Sequence, residues 1–538
     1  MLTKIKMTEN QAIIESKFES RNNAFFSNET FSEFKEESMN RELSLGKSIR
    51  ERLFFRKRKE QKLRKDIPKS SSPSKIENYL TISKELYEKC KESEVSIEQL
   101  YQIISHFKSD DLEKKYMGLI GIRKLLCNDN PPVEIIFNYN LLPEILSMLD
   151  GGYSVEFIHE ALWCLINISY GNEQESEKIK NQGGIEKIIS LIYHSLDEIK
   201  EMALWCLEHI SCGSLEIKKF LIKKKIINIL MIVLSTNDNE KIILHCVCVI
   251  KNLISLYSKK KSINLDIDNP DFKKLINIIS KLMINHEYTP ENECIKYLYY
   301  DCCYILSFLT ESFSKCRDIL LENGIIQYII KLIKMPIIER SERFLHILLK
   351  IIGNIICGNS NQTKQILNDD VFAILKKHII NESEIIQNEV CWIISNISAD
   401  TEENMIKIID KGFFPLLLQV LEKCNKSTRI DVIFSFCNLT LIKDEKYLGN
   451  LIGNGLLKVI CDCIKGNNPK EIIICLEALD NLLSFGEKHR NNGYNIIRCE
   501  IERMGMCDVL EKLQYDRDEY IYEKACNIIE KYFEYDHL

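Results

Sequence analysis

The three tryptophans of this 538-residue chain stand at Trp163, Trp205 and Trp392, and each is followed four positions later by a polar side chain: Asn167, His209 and Asn396. Four residues is about one helical turn, so each pair shares a helix face. The register continues at Cys248/Asn252, Tyr304/Phe308, Lys350/Asn354, Phe434/Asn438 and Glu477/Asn481. An Asn amide both donates and accepts, so it can hold the main chain of an extended ligand whatever its side chains are. Neighbouring indoles wall slots for Lys or Arg stems, with cation–π attraction of about 0.5 to 2 kcal/mol per contact. Asp301, Glu389 and Asp431 each lie three residues before the aromatic position and bring carboxylates to the same face. The chemistry is that of a receptor for an extended basic peptide. A single Trp or Asn in a helix is commonly packing, but Asn in six of eight registers needs a shared cause, because its helix propensity is modest and its amide must be satisfied.

The polar rungs at 167, 209, 252, 308, 354, 396, 438 and 481 are separated by 42, 43, 56, 46, 42, 42 and 43 residues. A period near 42 with three helices per unit is the armadillo class. A Gly at a helix-to-helix turn returns in phase at Gly184, Gly324, Gly412, Gly455 and Gly505, and the long interval is accounted for by an insertion at about Ser258 to Asp271. The fold expected is all-α: a right-handed superhelical solenoid of about ten armadillo repeats over 95–538, capped at both ends because each unit buries its apolar face only against its neighbours. In such a superhelix the third helices line the concave groove, so the rungs form a ladder there.

Composition agrees with helices joined by short loops: 20 Gly and 10 Pro beside 45% apolar and 28% charged residues. The 21 Cys fall mostly inside apolar runs such as CVCVI and DCCYIL, with no secretory signal at the N-terminus, so they read as buried thiols in a reducing compartment. The CxC pairs Cys246/Cys248 and Cys461/Cys463 lack a second pair at zinc spacing. No apolar run is long enough to span a bilayer, and no phosphate loop, HExxH motif or Cys/His nucleophile pairing is visible. A soluble intracellular binding protein without metal, cofactor or catalytic residues is expected. Lys350 is the only basic rung, which separates this groove from scaffolds that bind acidic tails.

The net charge of −6 hides a division. Residues 41–69 hold twelve Lys/Arg against four acids, a net +8 that leaves −14 on the rest. A basic tail on an acidic body suggests a partner for the tail, or the body itself, and no direct nucleic-acid binding. The tail covers 1–65 and is expected to be largely disordered, with a basic segment at about 30–65; DIPKSSSPSKI at 66–76 reads as the start of a flexible linker running to 94.

Along essentially its whole length the sequence resembles importin-α. The match rests on the ALWxLxxIS units at Ala161 and Ala203, CWIISNIS at Cys391, IIGNIICGNSNQT at Ile351, RKLLCNDNPP at Arg123 and NIIEKYF at Asn527, while RELSLGKSIRERLFFRKRKEQKLRK looks like a shortened importin-β-binding segment. The resemblance implies a nuclear import adaptor that shuttles between cytoplasm and nucleus and carries mono- or bipartite basic localisation signals. It places a major signal site at Trp163, Asn167, Gly171, Ser176, Trp205, His209, Asn252 and Asp301. A minor site falls at Lys350, Asn354, Thr363, Glu389, Trp392, Asn396, Asp431 and Asn438. Arg41, Arg50, Arg52, Arg56, Lys57, Arg58 and Lys59 would bind importin-β and, when free, occupy the groove; an export receptor and nucleoporins are further implied partners. The chain departs from the family where Cys248 replaces a Trp, His209 an Asn and Phe434 a Trp, and where expected acids fall on Gly213 and Ser360.

Overall fold

The computed structural model describes residues 96–127, 131–170, 173–257, 271–286, 288–490 and 494–533, all within one compact unit at 82–538. The tail and linker, the basic residues Arg41 to Lys59, Gly171, and the insertion apart from Asp271 lie outside them.

Among the described residues the regular structure is helical, with no strand, and no helix is long and apolar enough to cross a membrane. Ten helices carry the ladder and its two ends: α1 (Leu112–Leu126), α2 (Val155–Ser169), α3 (Asp197–Ser211), α4 (Glu240–Ile254), α5 (Glu293–Ser312), α6 (Glu342–Ile356), α7 (Glu384–Ser398), α8 (Lys426–Leu439), α9 (Pro469–Lys488) and α10 (Glu519–Tyr532). Each packs on the next in chain order, and two shorter helices precede most of them, as Ser360–Ile366 and Asp369–His378 precede α7. This is the expected all-α armadillo solenoid. Local chemistry sets the starts: the side chains of Asn239, Asn292, Ser383 and Asn425 accept from backbone N–H groups in the first turns of α4, α5, α7 and α8. The stacking buries continuous layers of Ile and Leu, such as Ile347, Leu348, Ile351 and Ile355 of α6 against Val390, Ile393, Ile394 and Ile397 of α7.

The turns before five of the middle helices use a left-handed residue, and Gly183, Gly324, Gly412, Gly455 and Gly505 supply it with φ between 69° and 104°, whereas the helix Asp369–His378 starts from an extended Asn368. The first of these is Gly183, not the expected Gly184. Gly184 serves close approach instead: a Cβ there would stand 2.7 Å from Ile179 Cγ2 and 2.8 Å from Leu146 Cδ2. In the following repeat Lys225 takes the left-handed turn at φ 54°, at a position where the sequence has no Gly to mark it.

Candidate functional site

The ladder residues share one face of α2 to α9, and the structure adds a device that the rung pattern alone does not reveal. Five of the six Asn rungs bond to the end of the preceding ladder helix. Asn252 Nδ2 donates to Ser211 Oγ at 2.8 Å, Asn354 Nδ2 to Thr310 Oγ1 at 3.1 Å and to Ser307 O at 3.0 Å, Asn438 Nδ2 to Ser398 Oγ at 3.1 Å, and Asn481 Nδ2 to Thr440 Oγ1 at 3.1 Å. In every case the accepting hydroxyl lies two residues after the previous rung. Where that position is Ile356, the next rung Asn396 turns its amide back to Trp392 O of its own helix at 2.9 Å. Asn167 donates to Cys127 Sγ at 3.4 Å, the first clasp of the series. The recurrence of Asn therefore has a structural cause.

The indoles of the two halves differ in access, although Asn252 of the earlier half is partly exposed and Asn354 of the later half is buried. Trp163 and Trp205 are only 6% and 8% exposed, and Asn167 and His209 are buried with them. Arg123 lies 4.8 Å above the Trp163 ring and pairs with Glu160, while His159 meets the ring edge at 5.6 Å. Burial works against the Glu160 carboxylate, yet His159 and Arg123 hold its pKa below the usual range. His245 stacks on Trp205 at 6.1 Å and 20°, and its Nδ1 is 2.6 Å from Glu208 Oε2. His209 packs edge-on to Tyr170 at 5.6 Å. Asp301 is buried and 2.7 Å from Lys251 Nζ; burial raises its pKa and Lys251 opposes the rise. Ser176 is buried beside Gly213, in the helix Glu173–Asn181.

In the later half Trp392, Asn396, Phe434, Asn438 and Asp431 are all partly exposed. The Trp392 ring lies across Gly353, where a Cβ would come within 2.3 Å of its Cζ3. Glu389 is buried with His346 Nε2 at 3.3 Å. Lys350 pairs with Glu311 at 2.8 Å; burial lowers its pKa, but Glu311 and Glu389 more than offset that and the net shift is upward. Thr363 is buried and donates to Ile356 O at 3.0 Å, tying its short helix to the end of α6. Ser360 donates to the Asp400 carboxylate, so a carboxylate stands beside the position where the resemblance expects an acid.

Sequence reasoning missed Lys251, His245 and the clasp hydroxyls, because it followed rungs and not the residues beside them.

Residues 495–537 match a family model described as an atypical Arm repeat. The chain is 23% identical over 446 residues to importin subunit alpha-1b of Oryza sativa subsp. japonica, covering 81% of this chain and 79% of that protein, and 23% identical over 436 residues to importin subunit alpha-8 of Arabidopsis thaliana, covering 79% and 91%. Over about four fifths of its length the chain is thus similar to importin-α, at an identity that marks it as divergent. It is also 25% identical over 261 residues to a probable importin subunit alpha-A of Dictyostelium discoideum, covering 45% of this chain and 44% of that protein. Among solved structures, an engineered protein superposes with a TM-score of 0.62 at 17% identity, over 80% of this chain and 98% of that one.

Proposed function

We propose that this chain is an importin-α-type nuclear import adaptor, acting by binding and not by catalysis, whose groove holds basic localisation signals chiefly in its later half. The observation that carries the reading is the partly exposed run Trp392, Asn396, Phe434 and Asn438, flanked by Glu389 and Asp431. A Lys or Arg stem laid along the Trp392 or Phe434 ring gains cation–π attraction, and its head meets carboxylates. The partly exposed amides of Asn396 and Asn438 can pair with the main chain of an extended ligand, each through its acceptor oxygen and Asn396 also through the N–H that does not bond Trp392 O. In the earlier half the indoles and Asp301 are already covered by the chain's own Arg123, His245 and Lys251. The earlier half, the family's major site by resemblance, is on this reading the weaker one.

The tail completes the adaptor. Arg41, Arg50, Arg52 and the run Arg56, Lys57, Arg58 and Lys59 are assigned to importin-β, and the same run has the charge pattern of the cargo it would displace from the groove. A flexible tether gives such a competitor an effective concentration on the order of mM.

The test is nuclear accumulation of a fluorescent cargo bearing a basic signal in permeabilised cells supplied with importin-β. The full chain should support accumulation, and the chain lacking residues 1–76 should not, although it should bind the isolated signal more tightly. Accumulation independent of the added chain would refute the adaptor role, and equal peptide affinity with and without the tail would refute self-competition.

A further inference from the structure

The residue immediately before a rung lies at the seam with the next ladder helix in three cases: Glu208 meets His245, Lys251 meets Asp301 and Gly353 meets Trp392. Gly353, just before Asn354, shows the geometry, since the Trp392 ring lies directly over it. From α5 to α8 this position is small: Ser307, Gly353, Ser395 and Cys437. On α4 it is Lys251, a long cation next to Asn252, whose ammonium lies 2.7 Å from Asp301 Oδ1 on α5.

Asp301 is the carboxylate that the ladder offers to a basic ligand in the earlier half, three residues before Tyr304. It is only 5% exposed, and a carboxylate so buried is costly to keep charged without a cation beside it. Lys251 supplies that cation from within the chain. The substitution of a wall by Cys248 fits the same arrangement: Glu208, Lys251 and Asp301 all lie close enough to Cys248 to act on its thiol electrostatically, and His245 holds Glu208 at 2.6 Å. A small side chain leaves room for a compact set of two carboxylates and two basic groups, where a large ring would stand between them.

We propose that Lys251 is a specificity-determining residue: from within the chain it occupies the carboxylate slot between α4 and α5, so that the earlier half of the groove refuses a basic side chain at Asp301 and basic cargo is directed to the Trp392 half. The proposal rests on the peptide-binding function argued above and deepens it. A Lys at this position is a tethered copy of the ligand's own head group, and any incoming cation must first displace it. Displacement exchanges one charge-assisted hydrogen bond for another and gains nothing for the ligand.

The test uses the full chain carrying W392A and N396A, which removes the strong half and leaves the earlier half to be read alone. A fluorescent lysine- and arginine-rich peptide is titrated against this background with and without K251S, and with K251M, which keeps the stem and drops the charge. Both substitutions should tighten binding by about tenfold or more, the worth of one charge-assisted hydrogen bond. Adding D301N should abolish the gain. Unchanged affinity in K251M and K251S, with helicity as in the parent, would overturn the proposal, as would a gain that survives D301N. Binding by the wild-type chain reports on the proposed function and the gain reports on Lys251, so the two fail separately.

Discussion

Gly353→Ala isolates the aromatic wall without touching it. A Cβ at this position would stand 2.3 Å from Trp392 Cζ3, a separation that real structures essentially never hold, and 3.0 Å from Ile393 Cγ1, a tight one. The atom in the way is the edge of a partly exposed ring, so the ring yields before the backbone does. Overpacking costs about 1 to 3 kcal/mol, and replacing Gly by Ala inside a helix returns up to about 1 kcal/mol. The fold should therefore lose no more than about 3 kcal/mol of stability. A wall tilted off its slot forfeits its cation–π contact, about 0.5 to 2 kcal/mol, which is about 2- to 30-fold in Kd. Titration of a basic peptide against the full chain reads the second quantity, and urea denaturation reads the first. Indole emission gives a third check, because Trp163 and Trp205 are buried and the change reports on Trp392. Wild-type affinity together with unchanged emission would refute the placement of Trp392 as a slot wall.

Asn354→Ala should cost about 1 to 3 kcal/mol, because it strips a buried clasp from Ser307 O and Thr310 Oγ1; Asn396→Ala, whose amide serves only its own helix, should cost less than about 1 kcal/mol. Equal losses in urea midpoint would remove the clasp argument. His378 is buried and burial lowers its pKa from the ordinary 6.5, so the unfolded chain takes up the proton more readily as pH falls. Its contribution is whole above pH 6.5 and is lost as pH drops below that value, so the Tm of His378→Gln should fall less steeply on acidification than that of the natural chain. Lys225→Gly relieves a left-handed residue at φ 54° and should raise the Tm, since only Gly adopts that conformation without steric cost.

The repeat was legible because the same three-helix unit must bury the same face each time, and the rungs at 167, 396 and 438 carry that period in plain residue types. The glycine turns were legible for the same reason, apart from the one-residue shift to Gly183 and the turn at Lys225, where the stacked helices impose φ > 0 on a residue that gives no signal of it. The clasp left a trace that rung-by-rung reading passes over: Ser211, Thr310, Ser398 and Thr440 precede clasping Asn residues, whereas Ile254 and Ile356 precede Phe308 and the non-clasping Asn396. Lys251 was missed because a residue beside a rung acquires meaning only from the neighbouring helix, and the pairing with Asp301 spans fifty positions of sequence. The balance between the two halves rests on which side chains cover the indoles, a property of packing that residue spacing does not express.

The central claim, that basic signals are held around Trp392, is tested most directly by titrating one lysine- and arginine-rich peptide against the full chain and against its W392A/N396A variant, with melting followed in parallel. The account predicts a loss of about tenfold or more in affinity with melting close to that of the natural chain. An unchanged affinity in a folded double variant would contradict it.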